Sequence, residues 1–223
     1  MAWITPIVGG LIKNVNFGKD YLHGRSPIPL IASIEVNNIC NQHCSYCYIS
    51  KRESIPSNFN KQDMFSILEK CVELGIQFIT ISGREPLLDR ESVKYLQFLD
   101  TLKVKHKNKL TYGFNTNGIN IGKYFNTLKE LRPDWITVSM DGLQKFHDSM
   151  RGIGNFNLVD KNIKKLLGIP YFQKRLEVTT TMTSATDKAE IFHLTAYLQE
   201  IGIRYHSITP VIEKLNNGEH LQP

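Results

Sequence analysis

Residues 77–115 read QFITISGREPLLDRESVKYLQFLDTLKVKHKNKLTYGFN. The stretch opens with a short apolar run at 77–82, rich in β-branched residues, which is typical of a buried strand. A turn-forming segment follows, and apolar residues then recur three and four positions apart over 90–102, as on one face of an amphipathic helix. A second strand-like run covers 110–115. Two strands joined by a helix of this length predict a right-handed crossover between parallel strands.

The same alternation extends in both directions along the chain. Strand-like runs cover 30–36, 77–82, 110–115, 135–140, 176–182 and 203–209, and helical patterns cover 61–74, 90–102, 121–131, 158–167 and 188–201. Gly75 and Gly202 follow two of the helical patterns, where a glycine commonly ends a helix. Six strands alternating with five helices indicate an α/β protein with parallel strands. Because a full TIM barrel needs eight such units, six predict a partial (β/α)6 TIM-like barrel.

The domain organisation follows from these elements. A chain of 223 residues suits a single domain, and the partial barrel is expected to span residues 30–212. The segment 1–29 is predicted to be an N-terminal extension with a covering helix around 11–22. Residues 213–223 are predicted to be a C-terminal tail.

Composition and charge narrow the class of protein. No apolar run approaches the roughly 18 residues of a membrane helix, and the apolar stretch 4–12 lacks the basic flank and cleavage site of a signal peptide. We therefore expect a cytoplasmic protein. The formal net charge of +6 favours an acidic partner. The densest basic run is predicted to lie on a solvated loop and strand edge, and no nucleic-acid-binding motif accompanies it. It consists of Lys103, Lys105, Lys107 and Lys109.

Three of the four cysteines lie within eight residues, at Cys40, Cys44 and Cys47. Such crowding in a reducing compartment indicates metal or redox chemistry rather than disulfides. The spacing C-x3-C-x2-C supplies three thiolates, whereas a saturated [4Fe–4S] cubane takes four, so one iron would stay open for another ligand. The alternative is a zinc ion completed by His43 or His23. Cys71 stands apart in an apolar helical pattern and is predicted to be a buried core residue.

Small, polar or metal-binding residues follow four successive predicted strands. The segments are NNICNQHCSYC at 37–47, SGREP at 82–86, NTNG at 115–118 and SMDG at 139–142. In parallel α/β proteins, sites form where the carboxyl ends of the strands meet. The four segments therefore predict one site on one rim of the sheet.

The cysteine loop CNQHCSYC, residues 40–47, resembles that of the radical S-adenosylmethionine (SAM) superfamily, including the aromatic residue before the third cysteine. The resemblance covers roughly residues 28–212. It implies a [4Fe–4S] cluster whose open iron chelates the amino and carboxylate groups of SAM. It further implies that one electron from the cluster cleaves SAM and yields a 5′-deoxyadenosyl radical that takes hydrogen from a substrate. An oxygen-sensitive protein and a reductant such as ferredoxin or flavodoxin are expected with it.

The segment after strand two resembles the Gly-Gly-Glu-Pro of that family, whose backbone meets the methionine amino group. Here it consists of Gly83, Arg84, Glu85 and Pro86. Arg84 replaces the second glycine, and glycine at such a position permits an unusual φ or the close approach of a ligand. We therefore expect Arg84 to alter the SAM contact. The alternative for Glu85 is an ordinary surface carboxylate.

The other strand ends supply further implied SAM contacts. Asn117 resembles a residue near the methionine or the substrate, although Asn-Gly is also a common turn dipeptide. Ser139 resembles a serine that contacts the SAM carboxylate or ribose. Arg151, in a His-Asp-x-x-Arg-Gly pattern, resembles the arginine that binds the SAM carboxylate, the alternative being a surface salt bridge. Tyr46 resembles the residue whose backbone meets the adenine, and Val211, after strand six, is implied to touch it.

Two further expectations concern residues near this rim. Asp141 is expected to brace its loop rather than to act in chemistry. Strand five of the family carries an asparagine at its end, and threonines occupy that neighbourhood here, at Thr180, Thr183 and Thr186. These threonines predict a weaker polar contact.

Three functions follow from the sequence: an active radical SAM enzyme, a non-catalytic cluster- or SAM-binding partner subunit, and a zinc-binding structural protein. Beyond the four cysteines there are none to ligate an auxiliary cluster. The two barrel strands that six units lack predict a wide lateral opening, which suits a large substrate such as a peptide. The basic charge permits an acidic precursor peptide. The segment YLHGRSPIPL at 21–30 resembles that of relatives acting on peptides or on isoprenoid lipids, so the substrate stays open, with a peptide as one candidate.

Overall fold

The computed structural model describes residues 29–47, 61–107 and 109–211. Within these residues six strands alternate with helices. The strands are β1 (Ile31–Glu35), β2 (Phe78–Ser82), β3 (Thr111–Thr116), β4 (Trp135–Ser139), β5 (Leu176–Met182) and β6 (Tyr205–Pro210). The α-helices are α1 (Lys61–Glu73), α2 (Arg90–Lys105), α3 (Phe125–Leu131), α4 (Gln144–Arg151), α5 (Asn155–Leu167) and α6 (Lys188–Glu200). Short 3₁₀ turns lie at Pro86–Leu88, Ile119–Ile121 and Phe172–Lys174.

The strands form one sheet in the order β1-β2-β3-β4-β5-β6, and every neighbouring pair is parallel. β1 and β6 are the outer strands of the described sheet, which is therefore open. The predicted α/β class and the parallel strands are confirmed. All six carboxyl ends lie along the same edge of the sheet.

One face of the sheet is covered by helices and carries the hydrophobic core. Alternate strand residues such as Ile79, Phe114 and Val138 are fully buried there, together with Leu96 and Leu99 of α2. The β-branched and aromatic character of these strands suits this packing. Burying each such side chain contributes roughly 1.5–3 kcal/mol.

The intervening strand residues lie on the opposite face, because successive side chains alternate. Most of them carry hydroxyl, amide or carboxyl groups: Ser33, Glu35, Thr80, Ser82, Asn115, Thr137, Ser139, Glu177, Thr179, Thr181, Ser207 and Thr209. Toward the amino ends of the strands, Trp135 lies over Gly113, and a Cβ at Gly113 would come within 2.4 Å of the indole. Trp135 thus occupies this face toward the amino ends of the strands.

Helix ends agree with the local chemistry. The side chains of Asp89 and Asp187 cap α2 and α6 by accepting from backbone N–H groups at 3.1 and 3.0 Å. Gly75 and Gly202 follow α1 and α6 with φ of +93° and +98°. A left-handed residue there is favourable only for glycine, so both predicted stops are confirmed.

Helix α4 was not predicted, and its composition explains why. Its buried side chains are His147, Met150 and Arg151. Because two of these three are polar, apolar spacing gives no signal over the segment. Helix α5 begins at Asn155, three residues before the predicted start.

The prediction for the basic run was wrong in part. Lys103 and Lys105 lie in the last turn of α2 rather than in a loop. Lys103 Nζ lies 2.7 Å from Asp134 Oδ2 in a partly buried pair, and Lys105 pairs with Glu69 at 2.9 Å. The last two lysines of the run follow the helix and are exposed.

The predicted helix around 11–22 and the tail at 213–223 lie outside the described residues. None of the helices within the described ranges is long and apolar enough to cross a bilayer.

Candidate active site

The cysteine loop, residues 40–47, follows β1 and contacts the carboxyl ends of β3 and β4. Asn117, just after β3, donates from Nδ2 to Asn41 Oδ1 at 2.7 Å. The hydroxyl of Tyr46 donates to Asp141 Oδ2, just after β4, at 2.7 Å. The predicted convergence of segments on one rim is therefore seen for the loop and these two strand ends.

The three thiols of the loop are half-buried and close enough to influence one another. Cys40 Sγ accepts from the Gln42 backbone N at 3.4 Å, and the Cys44 thiol donates to Gln42 Oε1 at 3.5 Å. Burial raises the pKa of Cys40, and it raises the pKa of Cys44 to about 11 against the opposing effect of Arg151. Cys47 adds to both increases in pKa through its charge.

The thiols do not converge on a single point. Among the described residues, no group of three His, Cys, Asp or Glu side chains is placed to hold one metal ion. His43 is exposed, and His23 lies outside the described residues. A cubane binds each cysteine through a different iron, so its ligands lie farther apart than those of one zinc ion.

The amide of Gln42 leaves an orphaned donor inside the loop. Gln42 is only 5% exposed, and its Nε2 has no hydrogen-bond partner among the residues described, although the other end of the amide contacts the Cys44 thiol. A buried donor without an acceptor costs about 1–3 kcal/mol. An acceptor among the thiols would remove this cost.

Asn117 joins the loop to the turn after β3. Its Nδ2 lies 3.8 Å from Cys40 Sγ, and its Oδ1 accepts from the Ile119 backbone N at 3.0 Å. Gly118 follows with φ of +83°. Asn117 is thus a turn residue that also carries a donor to the cysteine loop.

Glu85 is buried, so the alternative of a surface carboxylate was wrong. It is 0% exposed, and Oε1 accepts from Thr116 Oγ1 at 2.7 Å and from Leu87 N at 2.9 Å. Oε2 accepts from Asn117 N at 2.7 Å. Burial raises the pKa of Glu85, and these hydrogen bonds oppose the increase. The carboxylate therefore ties the end of β2 to the end of β3.

Asn37, at the end of β1, was missed by sequence reasoning. Its Nδ2 donates to the Glu85 carbonyl at 2.9 Å and to Ser92 Oγ at 3.1 Å, and its Oδ1 accepts from Glu85 N at 3.4 Å. Its position as the first polar residue after β1 was the only available signal. Asn37 links β1 to the segment after β2.

The unusual backbone of that segment falls on Gly83 rather than on Arg84. Gly83 has φ of +126°, and a Cβ there would lie 3.0 Å from the Asn37 carbonyl oxygen. Arg84 is not among the described non-glycine residues with positive φ. Its backbone N donates to the Asn37 carbonyl at 3.4 Å. Arg84 therefore does not need the conformation that glycine permits.

Asp141 and Arg151 form a buried pair behind the cysteine loop, so the alternative of a surface salt bridge was wrong. Arg151 Nε and Nη2 donate to the two Asp141 oxygens at 2.6 and 3.1 Å. Asp141 also accepts from the Thr181 backbone N at 3.0 Å. Burial by itself raises the pKa of Asp141, but Arg151 reverses this and holds it below its usual value. Asp141 braces this rim, as expected.

His147 of α4 supports the same segment. It is 0% exposed, and its Nδ1 accepts from the Asp141 backbone N at 3.3 Å. Burial lowers the pKa of His147 to about 4, and the Arg151 charge adds to the decrease. The imidazole is therefore neutral at physiological pH.

The remaining predicted residues lie at the same edge of the sheet and differ in how their polar groups are bonded. Ser139 ends β4 on the polar face, is half-buried, and its hydroxyl bonds to no described residue. The bonds of Arg151 to Asp141 leave its Nη1 outside the pair. Val211 follows β6 and donates from its backbone N to the Met182 carbonyl at 2.8 Å.

The three threonines near the end of β5 do not act alike. Thr180 is fully buried on the helix-covered face and donates to the Met140 carbonyl at 2.7 Å. Thr183 and Thr186 bond to each other in the turn after β5, with their hydroxyls 3.2 Å apart. None of the three therefore presents an unpaired hydroxyl.

Comparisons with known proteins agree with this arrangement. The family model for the radical SAM superfamily matches residues 34–184. The sporulation killing factor maturation protein SkfB of Bacillus subtilis is 27% identical over 142 residues, which is 63% of this chain and 33% of SkfB. The GTP 3′,8-cyclase of Clostridium acetobutylicum is 28% identical over 197 residues, 86% of this chain and 59% of the cyclase.

Solved structures show the same architecture. Streptococcus suis SuiB bound to S-adenosylmethionine matches with a TM-score of 0.69 at 21% identity, over 91% of this chain and 45% of SuiB. SuiB bound to precursor peptide SuiA matches with a TM-score of 0.67 at 22% identity, over 88% of this chain and 42% of SuiB. These likenesses confirm the partial barrel fold. The chain spans less than two thirds of the length of each of these proteins.

Proposed function

This chain belongs to the radical SAM superfamily, whose cofactors are a [4Fe–4S] cluster and SAM, and we propose that it is an enzyme with Cys40, Cys44 and Cys47 as its cluster ligands. The cluster, when bound, supplies the electron that cleaves SAM reductively to a 5′-deoxyadenosyl radical, which takes hydrogen from the substrate. The observation that carries the proposal is the hydrogen bonding of the cysteine loop to Asn117 and Asp141 at two strand ends.

The residues present fit such a cluster. Three half-buried thiols occupy one short loop and influence one another's pKa without converging on one ion. The buried Nε2 of Gln42 has no acceptor among the described residues, and a thiolate or cluster sulfide beside it would provide one. Three protein ligands leave one iron for SAM.

Three side chains are suited to bind the polar groups of SAM. The Ser139 hydroxyl is free to bond the carboxylate or ribose. Arg151 offers Nη1 toward a carboxylate while its other nitrogens hold Asp141. Asn117 lies beside Cys40 and contributes to the same cradle. Tyr46 and Val211 are proposed to contact the adenine through their backbones or nearby surfaces.

The segment after β2 is proposed to meet the methionine amino group through its backbone. Glu85 acts from behind by fixing the ends of β2 and β3 together, because both of its oxygens are used within the protein. Gly83 provides the unusual φ that the segment needs. The φ of Arg84 is not positive, so its backbone gives no reason to expect an impaired contact with SAM.

A peptide is the proposed substrate. The sheet of the described residues is open and has a polar face toward its carboxyl ends, where the Ser139 hydroxyl bonds to no described residue. SuiB, which shares the fold, has been crystallised with a precursor peptide. The net charge of +6 favours an acidic segment of such a peptide. A reductant such as ferredoxin or flavodoxin is proposed as the electron source.

The test is anaerobic reconstitution with iron and sulfide, followed by SAM and dithionite. We expect a brown protein with about four irons per chain that releases 5′-deoxyadenosine. A folded protein that takes up no iron would refute the cluster. One bound zinc without iron would select the structural alternative.

The alternative of a non-catalytic partner subunit gives a different result in the same experiment. It predicts a cluster whose electron paramagnetic resonance spectrum is unchanged by SAM, or SAM binding without cleavage. An active enzyme predicts both a spectral change and 5′-deoxyadenosine. Deuterium transfer from a labelled peptide into 5′-deoxyadenosine then tests the substrate class.

A further inference from the structure

We propose that Tyr46 is a positioning residue whose hydroxyl, bonded to Asp141, fixes the C-terminal half of the cysteine loop against the end of β4. This goes beyond the backbone contact with adenine that the sequence implies for the same residue. The role of Tyr46 in SAM binding rests on the function proposed above. The hydrogen bond to Asp141 forms in the protein without cofactors.

The loop is attached to the rest of the described structure at its two ends. At the N-terminal end, Asn117 bonds to Asn41. At the C-terminal end, Tyr46 bonds to Asp141, and the Ser45 backbone N donates to the Met150 carbonyl at 3.0 Å.

Between these attachments the loop is held by its own bonds. Within the part of the chain that the structure describes, Gln42 and Cys44 bond only to atoms of the loop itself, and His43 is exposed. The position of the middle cysteine therefore depends on the attachments at both ends. Of the C-terminal attachments, Tyr46 supplies the one made to a charged group.

The acceptor of the Tyr46 hydrogen bond is itself fixed. Asp141 is 0% exposed, and its oxygens also accept from Arg151 and from the Thr181 backbone N. Arg151 belongs to α4 and Thr181 to β5, so two elements besides the cysteine loop hold the carboxylate. A hydrogen bond to a charged, immobile acceptor is among the stronger kinds.

Removal of the hydroxyl takes away its bond to Asp141 and its interaction with the Thr181 side chain. In Tyr46→Phe, Asp141 keeps Arg151 and the Thr181 N–H, so no buried charge loses its compensation. The ring, whose centroid lies 5.5 Å from the guanidinium carbon of Arg151, remains. We therefore expect the loop, rather than the fold, to respond.

The chain offers a matched control in Tyr197. Its hydroxyl donates to Asp160, which also pairs with Lys164 at 2.9 Å, so a phenol again shares a carboxylate with a cation. This group joins α5 to α6 and makes no contact with the cysteine loop. Tyr197→Phe removes the same atom from a similar partner elsewhere.

The first readout is hydrogen–deuterium exchange of the full chain without cofactors. We expect amides of residues 41–47 to exchange about three- to tenfold faster in Tyr46→Phe than in Tyr197→Phe. Unchanged exchange in the loop would overturn the proposal. An unfolding free energy that falls much further in Tyr46→Phe than in the control would also overturn it, by making Tyr46 a folding residue.

The second readout is SAM affinity of the reconstituted proteins, measured by the SAM-dependent change in the spectrum of the reduced cluster. We expect Tyr46→Phe to keep its iron and to bind SAM about three- to tenfold more weakly than the control. Wild-type affinity in Tyr46→Phe would overturn the positioning role. If the wild type takes up no cluster, the proposed function fails, and the exchange measurement still decides the role of the hydroxyl.

Discussion

Replacement of Glu85 by glutamine tests whether this carboxylate holds the rim together. Glu85 accepts three hydrogen bonds, two at Oε1 from Leu87 N and Thr116 Oγ1 and one at Oε2 from Asn117 N. An amide of the same shape has one acceptor and one donor. The NH2 group of the glutamine must therefore face either the Asn117 N–H or the two donors Leu87 N–H and Thr116 Oγ1.

The structure sets the size of the expected effect. The less costly orientation keeps the amide oxygen toward Leu87 and Thr116 and turns its NH2 group toward the Asn117 N–H. One hydrogen bond is lost and two donors oppose each other in a fully buried site. A buried donor left without an acceptor costs about 1–3 kcal/mol, and more where the lost acceptor is charged. We expect Glu85→Gln to lower the free energy of unfolding by about 2–3 kcal/mol.

Urea or guanidinium unfolding of the protein without cofactors measures this change. Glu130→Gln is the matched control, because Glu130 is exposed on α3 and no hydrogen bond of its side chain is lost. The control is expected to stay within about 0.5 kcal/mol of the wild type. Equal stability of the two variants would refute the role given to the carboxylate, and a shared change in slope would indicate an altered unfolded state instead.

Three further outcomes are expected. Cys44→Ala should abolish iron uptake on anaerobic reconstitution while the far-ultraviolet circular dichroism spectrum stays native. The control Cys71→Ala, on α1, should still bind iron. Iron retained in Cys44→Ala would contradict the ligand assignment. In chemical unfolding, Gly83→Ala should lower the free energy of unfolding by more than Gly75→Ala does. Both glycines have positive φ, but only at Gly83 would a Cβ lie 3.0 Å from a carbonyl oxygen. Equal decreases in the two variants would mean that only the backbone conformation matters. Burial lowers the pKa of His147 to about 4, so the unfolded chain binds a proton at a higher pH than the folded chain does. The free energy of unfolding should therefore fall by up to about 3 kcal/mol as the pH drops from 6.5 to about 4. A His147→Asn variant should show a flatter dependence of this free energy on pH.

The sequence predicts most of the sheet because its strands are locally distinct. β2 and β3 are short apolar runs bounded by turn residues, and the helix between them has a regular apolar face. Helix α4 escapes prediction for a physical reason. Its inner face packs through His147 and Arg151, which bond to Asp141 in the turn after β4, six and ten residues earlier. No local pattern contains that information.

The residues of the candidate site also differ in whether local sequence predicts them. The cysteines are predictable because their spacing is a local property of the chain. Asn37 is not, because it matters only through its contacts with Glu85 and Ser92, 48 and 55 residues away. The burial of Glu85 depends on Thr116 and Asn117, more than 30 residues away, and that of Arg151 on Asp141, ten residues before it. From sequence alone each of the two carries a surface alternative.

Gly83 and Arg84 show how a motif departure is judged by geometry. Glycine is needed where φ is positive or where a Cβ would meet another atom, and both conditions hold at Gly83. Arg84 does not meet the first condition, since its φ is not positive, and its N–H bonds to the Asn37 carbonyl. A side chain at that position therefore changes what lies beside the proposed SAM site rather than how the segment folds. It follows that any effect of Arg84 on activity acts through its size or charge, and that the backbone proposed to receive the methionine amino group is formed by Gly83 and fixed from behind by Asn37 and Glu85.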